Sequence, residues 1–201
     1  MGKIMILNGS PRAPRSNSRH YAELFGAVCP DETAYFSITR SNHPELCRAM
    51  GEYSHVLLVF PLYADSLPVT LLNFLKSLEQ MPPVRRPTVS VLINCGFLEP
   101  EQNDVAVEMV RLFCREHGYP FGSVLRIGGG EAILSTPFRF LVRRKIRLLA
   151  RAIVRQTPCS LSVTMPLPKR LFLRASTSYW TAYGRKNGIS PAQMAHMGIE
   201  E

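Results

Sequence analysis

Short apolar runs alternate with longer stretches of helical spacing along this chain. Lys3–Leu7 is nearly all apolar and stops at Asn8-Gly9-Ser10-Pro11, a turn signal of the kind that ends a buried parallel strand. Asn17–Phe25 then carries Tyr21, Ala22, Leu24 and Phe25 on a plausible helix face. Ala34–Ile38 reads as a weak strand and Pro44–Met50 as a short helix. His55–Phe60 is the strongest strand, stopped by Pro61. Pro68 sits where a helix tolerates proline, and the helix Val69–Leu78 follows. Thr88–Ile93 is a fourth strand, and Pro100–His117 a helix ended by Gly118. Ser123–Ile127 is a fifth strand, closed by Gly128-Gly129-Gly130. Pro137–Gln156 and Lys169–Lys186 read as two further helices.

Strands separated by helices imply an α/β fold, with a doubly wound five-stranded parallel sheet covered on both faces. Residues 1–156 form the sheet domain, and residues 157–201 a C-terminal helical extension of it. In open sheets of this kind ligands bind beyond the carboxyl ends of the strands. Four of those ends carry unusual loops: G-S-P-R-A-P-R-S-N-S, P-L-Y-A-D-S-L-P, N-C-G-F and G-G-G-E. All four fall on one rim.

The first loop has the makings of a phosphate site. It leads into a helix N-terminus, where backbone N–H groups and the helix dipole favour an anion. Ser10, Ser16, Asn17 and Ser18 add small donors, and Arg12 and Arg15 add positive charge. A polar turn in which Ser16 or Asn17 merely caps the helix competes with this reading, and spacing alone does not decide. Neither G-x-G-x-x-G nor G-x-x-x-x-G-K-[ST] is present. In the second loop Pro61 turns the chain off the sheet, so that Leu62 and Tyr63 reach the rim. Tyr63 suits contact with a flat aromatic ligand, and the backbone of Ala64, Asp65 and Ser66 can read its polar edge. Alternatively, Tyr63 packs on the surface and Asp65 or Ser66 caps the next helix. In the third loop Asn94, Cys95, Gly96 and Phe97 place a polar group, a thiol, a small residue and a ring together. Cys95 reads better as a small buried hydrophobe than as a nucleophile. Gly128, Gly129 and Gly130 allow close approach of backbone to a ligand, or form a plain glycine turn.

Composition narrows the classes. With 201 residues, 46% of them hydrophobic and 19% charged, the chain suits one globular domain with a substantial core. No apolar run reaches the roughly 18 residues of a membrane span, and the first residues lack signal-peptide order. The five cysteines contain no C-x-x-C pair, so a disulfide framework, a zinc knuckle or a cysteine-held cluster is not expected. The five histidines lack metal-ligand spacing. No metal and a reducing, cytoplasmic setting are the expectations. Charge is uneven: residues 1–120 carry a net −1 and residues 121–201 a net +10. Such a basic last third points to an anionic partner of some kind.

L-N-G-S-P-R with S-N-S close behind, P-L-Y-A-D-S-L-P followed by L-L-N-F-L, and N-C-G-F-x-E-P-E-Q-N together resemble the flavodoxin-like NAD(P)H-dependent FMN reductase family. The resemblance covers roughly residues 1–135, and its motifs come in the family's order. It implies a flavodoxin-like fold with strand order 2-1-3-4-5 and non-covalently bound FMN. NAD(P)H would be the electron donor, and a flavin, quinone or similar small molecule the acceptor; the family also implies a homodimer. Its phosphate-binding residues would fall on Ser10, Arg12, Ser16, Asn17 and Ser18. Its ring-contacting residues would fall on Pro61–Ser66 and Asn94–Phe97, with Gly128–Gly130 closing the ring site. Only Cys47 lies near the place where some relatives carry a cluster motif, so no iron–sulfur cluster is expected. The flavin would do the chemistry, so no protein nucleophile or catalytic acid is nominated.

Two other functions remain open on the sequence. One is an FMN-binding electron carrier or sensor without nicotinamide turnover. The other is a basic module for nucleic acid or a membrane surface, motivated only by the last third; without a nucleic-acid motif, no nucleic-acid partner is expected. Residues 139–155 mix apolar and basic positions at helical spacing. They read first as a packed helix with a solvated basic face, and otherwise as a docking surface for NADPH phosphates, a dimer face or an anionic-lipid contact. Lys169–Lys186 holds the only tryptophan, Trp180, with Phe172, Tyr179 and Tyr183.

Overall fold

The computed structural model describes residues 2–12 and 15–196. Six strands form one parallel sheet: β1 (Lys3–Asn8), β2 (Glu32–Ser37), β3 (His55–Pro61), β4 (Thr88–Asn94), β5 (Phe121–Ile127) and β6 (Ser160–Val163). Their order is β2-β1-β3-β4-β5-β6, so strand order reverses at β1. The helices are α1 (Asn17–Val28), α2 (His43–Ala49), α3 (Val69–Gln80), α4 (Asp104–Glu116), α5 (Arg139–Val154), α6 (Lys169–Lys186) and α7 (Pro191–Ala195).

Side chains alternate across the strands, and each face meets its own helices. Met5, Leu7, Val56, Leu58, Phe60, Val91 and Ile93 share a core with Leu71 and Phe74 of α3, Leu46 of α2, and Val107 and Val110 of α4. Helices α1 and α5 pack together on the sheet, α1 on β1 and β3 and α5 on β5. There Tyr21, Phe25, Ile146 and Leu149 are fully buried, as are Leu57, Val59 and Leu92 of the sheet. Burial on both sides explains why β3 and β4 are nearly continuous apolar runs.

The sheet has six strands where the sequence predicts five. Ser160–Val163 adds to the edge of β5, with Leu125 opposite Leu161 and Ile127 opposite Val163. It lies in the segment expected to be a purely helical extension. Only Val163 of its four residues is buried, so the strand carries almost no hydrophobic signal. The chain divides into two compact units, Met1–Met165 and Pro166–Glu201. Among its described residues the second holds α6 and the short α7, where Ser190 and Gln193 form a reciprocal capping box.

Candidate functional site

Register places four strand ends side by side. Asn8 of β1 lies opposite Val59 of β3, Pro61 of β3 opposite Asn94 of β4, and Asn94 opposite Ile127 of β5. The loops that follow therefore meet on one rim, beyond the reversal of strand order at β1. A cleft of about 690 Å³ opens there, within the usual size range of small-molecule sites.

One wall is the loop from β1 to α1. Asn8 is fully buried and organises it: Asn8 Oδ1 accepts from the Ser10 amide at 2.9 Å, and Nδ2 donates to Tyr35 Oη at 2.9 Å. Ser16 is the N-cap of α1, its Oγ accepting from the Arg19 amide at 3.2 Å. The next two amides, those of Asn17 and Ser18, start the helix without an intrahelical acceptor. Ser10, Arg12, Arg15, Ser16, Asn17 and Ser18 all line the cleft. No acidic residue occupies the first turn of α1, so its positive dipole end is uncompensated there. Farther along, Arg19 pairs with Glu23 at 2.8 Å.

The opposite wall comes from the ends of β3 and β4. Pro61, Leu62, Tyr63 and Asn94 line it, and Tyr63 is 56% exposed. The chain beyond Tyr63 reverses through Ala64 and Asp65, at φ 47° and 54°. Reciprocal bonds between Tyr63 and Ser66 at 3.1 and 3.0 Å close this two-residue turn. It holds Tyr63 out on the rim while keeping Ala64, Asp65 and Ser66 off the cleft lining. Two non-glycine residues in the left-handed region are strained, and the tight closure keeps them there.

Asn94 ties the two walls. Its side-chain amide is buried and donates to Ser18 Oγ at 3.1 Å and to the Phe60 carbonyl at 3.2 Å. A second tie runs from Tyr21 of α1, whose hydroxyl donates to the Gly130 carbonyl at 2.7 Å. Burial holds that phenol protonated by pushing its pKa up.

Several nominated residues serve the frame and do not line the cleft. The Cys95 thiol is buried, receives a bond from Asn103 Nδ2 at 3.3 Å and lies 3.6 Å from the Phe97 carbonyl. Burial pushes its pKa up, which suits an inert packing residue. The three glycine amides are all occupied: Gly128 donates to the Val163 carbonyl at 2.9 Å, Gly129 to Phe97, and Gly130 to Cys95 at 2.7 Å. Gly129 and Gly130 thus brace the loop after β4, Gly128 joins β6, and none of the three amides is on offer to a ligand. Gly96 and Phe97 are exposed at the rim outside the lining set. Pro11, Arg19, His20, Glu23 and Glu131 line the cleft without having been nominated. Glu131 ends the G-G-G-E run, which was the available signal for it. Arg19, His20 and Glu23 depend on how α1 is rolled.

No protein-family model and no curated protein matches the sequence. Solved structures do match. An NAD(P)H:quinone oxidoreductase from Methanothermobacter marburgensis aligns at TM-score 0.55 with 14% identity, over 76% of this chain and 96% of that one. A flavodoxin from Streptococcus pneumonia TIGR4 aligns at 0.56 with 13% identity, over 77% and 99%. An FMN-dependent NADH-azoreductase from Bacillus anthracis, solved with FMN, aligns at 0.54 with 14% identity, over 76% and 99%. The topology and these alignments together show that the chain has the flavodoxin-like fold, extended by a sixth strand at the β5 edge.

Proposed function

We propose that the protein is an FMN-dependent oxidoreductase that takes electrons from NAD(P)H and passes them to a small acceptor such as a quinone, a flavin or an azo compound. The observation that carries this reading is a single cleft at the reversal of strand order, lined by the loop after β1, the ends of β3 and β4, and Glu131 from the loop after β5. The names of the structural neighbours point the same way: quinone oxidoreductase, NADPH-quinone reductase and FMN-dependent azoreductase.

The residues present fit FMN. A phosphate monoester needs positive potential and many donors. Arg12, Arg15, the Ser10 and Ser16 hydroxyls and the opening amides of α1 supply both at one end of the cleft. A flat ring system needs an apolar wall and a fixed polar edge, which Leu62, Tyr63 and the anchored Asn94 supply at the other. Bound FMN supplies hydride acceptance from a nicotinamide and electron delivery to the acceptor. The chain's own residues bind and orient. Asn94, held by Ser18 and Phe60, fixes the distance between the phosphate loop and the ring wall. Tyr63, standing exposed on its strained turn, borders the space in which nicotinamide and acceptor would alternate.

The same reading includes a homodimer, use of NADPH and a cytoplasmic setting. Size-exclusion chromatography and a comparison of the two nicotinamides check the first two. The proposal itself is tested by titrating the purified chain with FMN and following flavin fluorescence. One equivalent should bind and be quenched, with riboflavin binding more weakly. If neither flavin binds, the assignment falls.

A further inference from the structure

The second compact unit carries a helix whose exposed surface the proposed redox reading does not use. Among the described residues of that unit, α6 packs with α7 and the connection before it, where Met194 and Ile189 close on Gly184. Along the helix, Phe172, Leu173, Tyr179, Trp180 and Tyr183 recur at helical spacing and form one stripe. Apart from the half-buried Phe172, they are exposed, Tyr179 at 61% and Trp180 at 46%. The three large rings pack on one another, with Tyr179 and Trp180 edge to face at 5.3 Å and Trp180 and Tyr183 likewise at 5.9 Å. Arg170, Arg174 and Arg185 fall on the opposite side of the helix, as the spacing of 3.6 residues per turn requires. No acidic residue occurs between Glu131 and Glu200.

We infer that α6 docks on anionic lipid, lying in the plane of the bilayer interface with its aromatic stripe turned toward the acyl boundary and its arginines on the polar face at the level of the headgroup phosphates. The warrant is the pairing of two features. Tyrosine and tryptophan sit best where an apolar body meets a wet polar edge, and arginine side chains reach from such a surface to anionic groups. No helix among the described residues is long and apolar enough to cross a membrane, so the contact is peripheral. A second copy of this chain is a poor occupant, because it would bring one acid-free basic segment against another. Single-stranded nucleic acid would stack on the same exposed ring faces, and the RNA and DNA arm of the test separates it from lipid.

Trp180 is the only tryptophan in the chain, so its emission reports on α6 alone. The full chain is mixed with vesicles of equal parts phosphatidylglycerol and phosphatidylcholine, and with phosphatidylcholine alone. A blue shift with the anionic vesicles only, quenching by brominated lipid and reversal by salt are expected. Tyr179→Ser with Tyr183→Ser should weaken binding about tenfold while leaving Trp180 as reporter. Arg170→Glu with Arg174→Glu should weaken it at least as much. Circular dichroism of each variant establishes that α6 is intact. No shift with anionic vesicles, equal binding to neutral ones, or an unchanged affinity in the tyrosine variant would overturn the proposal. So would a shift produced by RNA or DNA and not by lipid. FMN uptake is measured separately, so its loss and the loss of lipid binding are distinguishable.

Discussion

The side-chain amide of Asn94 donates to Ser18 Oγ at 3.1 Å, joining the end of β4 to the first turn of α1 across 76 residues of sequence. The same amide reaches the carbonyl of Phe60 at 3.2 Å. One buried side chain thus ties the two walls of the cleft. Asn94→Ala leaves Ser18 and Phe60 without that donor and should cost about 1–3 kcal/mol of stability. FMN affinity should fall along with it, and denaturant melts with flavin titration check both. Asn94→Asp would place a carboxylate between the same partners and should be worse still.

The phosphate end is separable from the ring end. Arg12→Ala should weaken FMN by roughly 10–100-fold, the worth of a hydrogen bond to a charged group, and leave riboflavin nearly unchanged. Ser16→Ala should do the same and also lose about 1 kcal/mol of stability through the missing cap. Paired titrations with FMN and riboflavin give the ratio directly. An equal loss for both flavins would move the phosphate elsewhere.

His55 makes stability depend on pH. It is buried at the start of β3, with Nε2 2.8 Å from Ser90 Oγ, which also accepts from the Ser123 amide at 2.8 Å. Burial lowers its pKa to about 4, from roughly 6.5 in an unfolded chain. Between those values the unfolded state binds the proton and the folded state does not. Stability should therefore fall as pH drops from about 6.5 to 4, by about 3 kcal/mol from this group. His55→Gln should remove that component. Urea melts of both proteins at several pH values across this window measure the difference.

The turn at Ala64 offers the opposite sign. Alanine at φ 47° is in the left-handed region, where a Cβ costs about 1–2 kcal/mol. Ala64→Gly should be neutral or stabilising by about 1 kcal/mol, against the usual direction for glycine. Gly130→Ala should do harm, because a Cβ there would stand 2.8 Å from Asn94 Cβ and 3.2 Å from the Cys95 carbonyl. Thermal melts of the two variants should move in opposite directions.

Much of this architecture was legible in the residues. His55–Phe60 and Thr88–Ile93 read as strands because both of their faces are buried, leaving an unbroken apolar run. Ser160–Val163 escaped because an edge strand of four residues with two serines buries little and shows no such run. The rim loops were legible because strand ends in a parallel sheet must share one edge. Which atoms face the cleft was not. The amides of Gly128–Gly130 are taken by carbonyls of Val163, Phe97 and Cys95, partners that only register and loop packing assign. Asn8 was visible as part of a turn, whereas its hold on Tyr35 depends on β2 lying alongside β1.

The most direct test of the central claim is an anaerobic titration of the FMN-loaded protein with NADPH and NADH, followed by absorbance near the flavin band. Bleaching of one flavin per chain within the mixing time of a manual assay, and recovery of colour on adding a quinone, is the predicted result. Flavin that stays oxidised with both nicotinamides, yet bleaches with dithionite, would contradict the reductase reading and leave an electron carrier in its place.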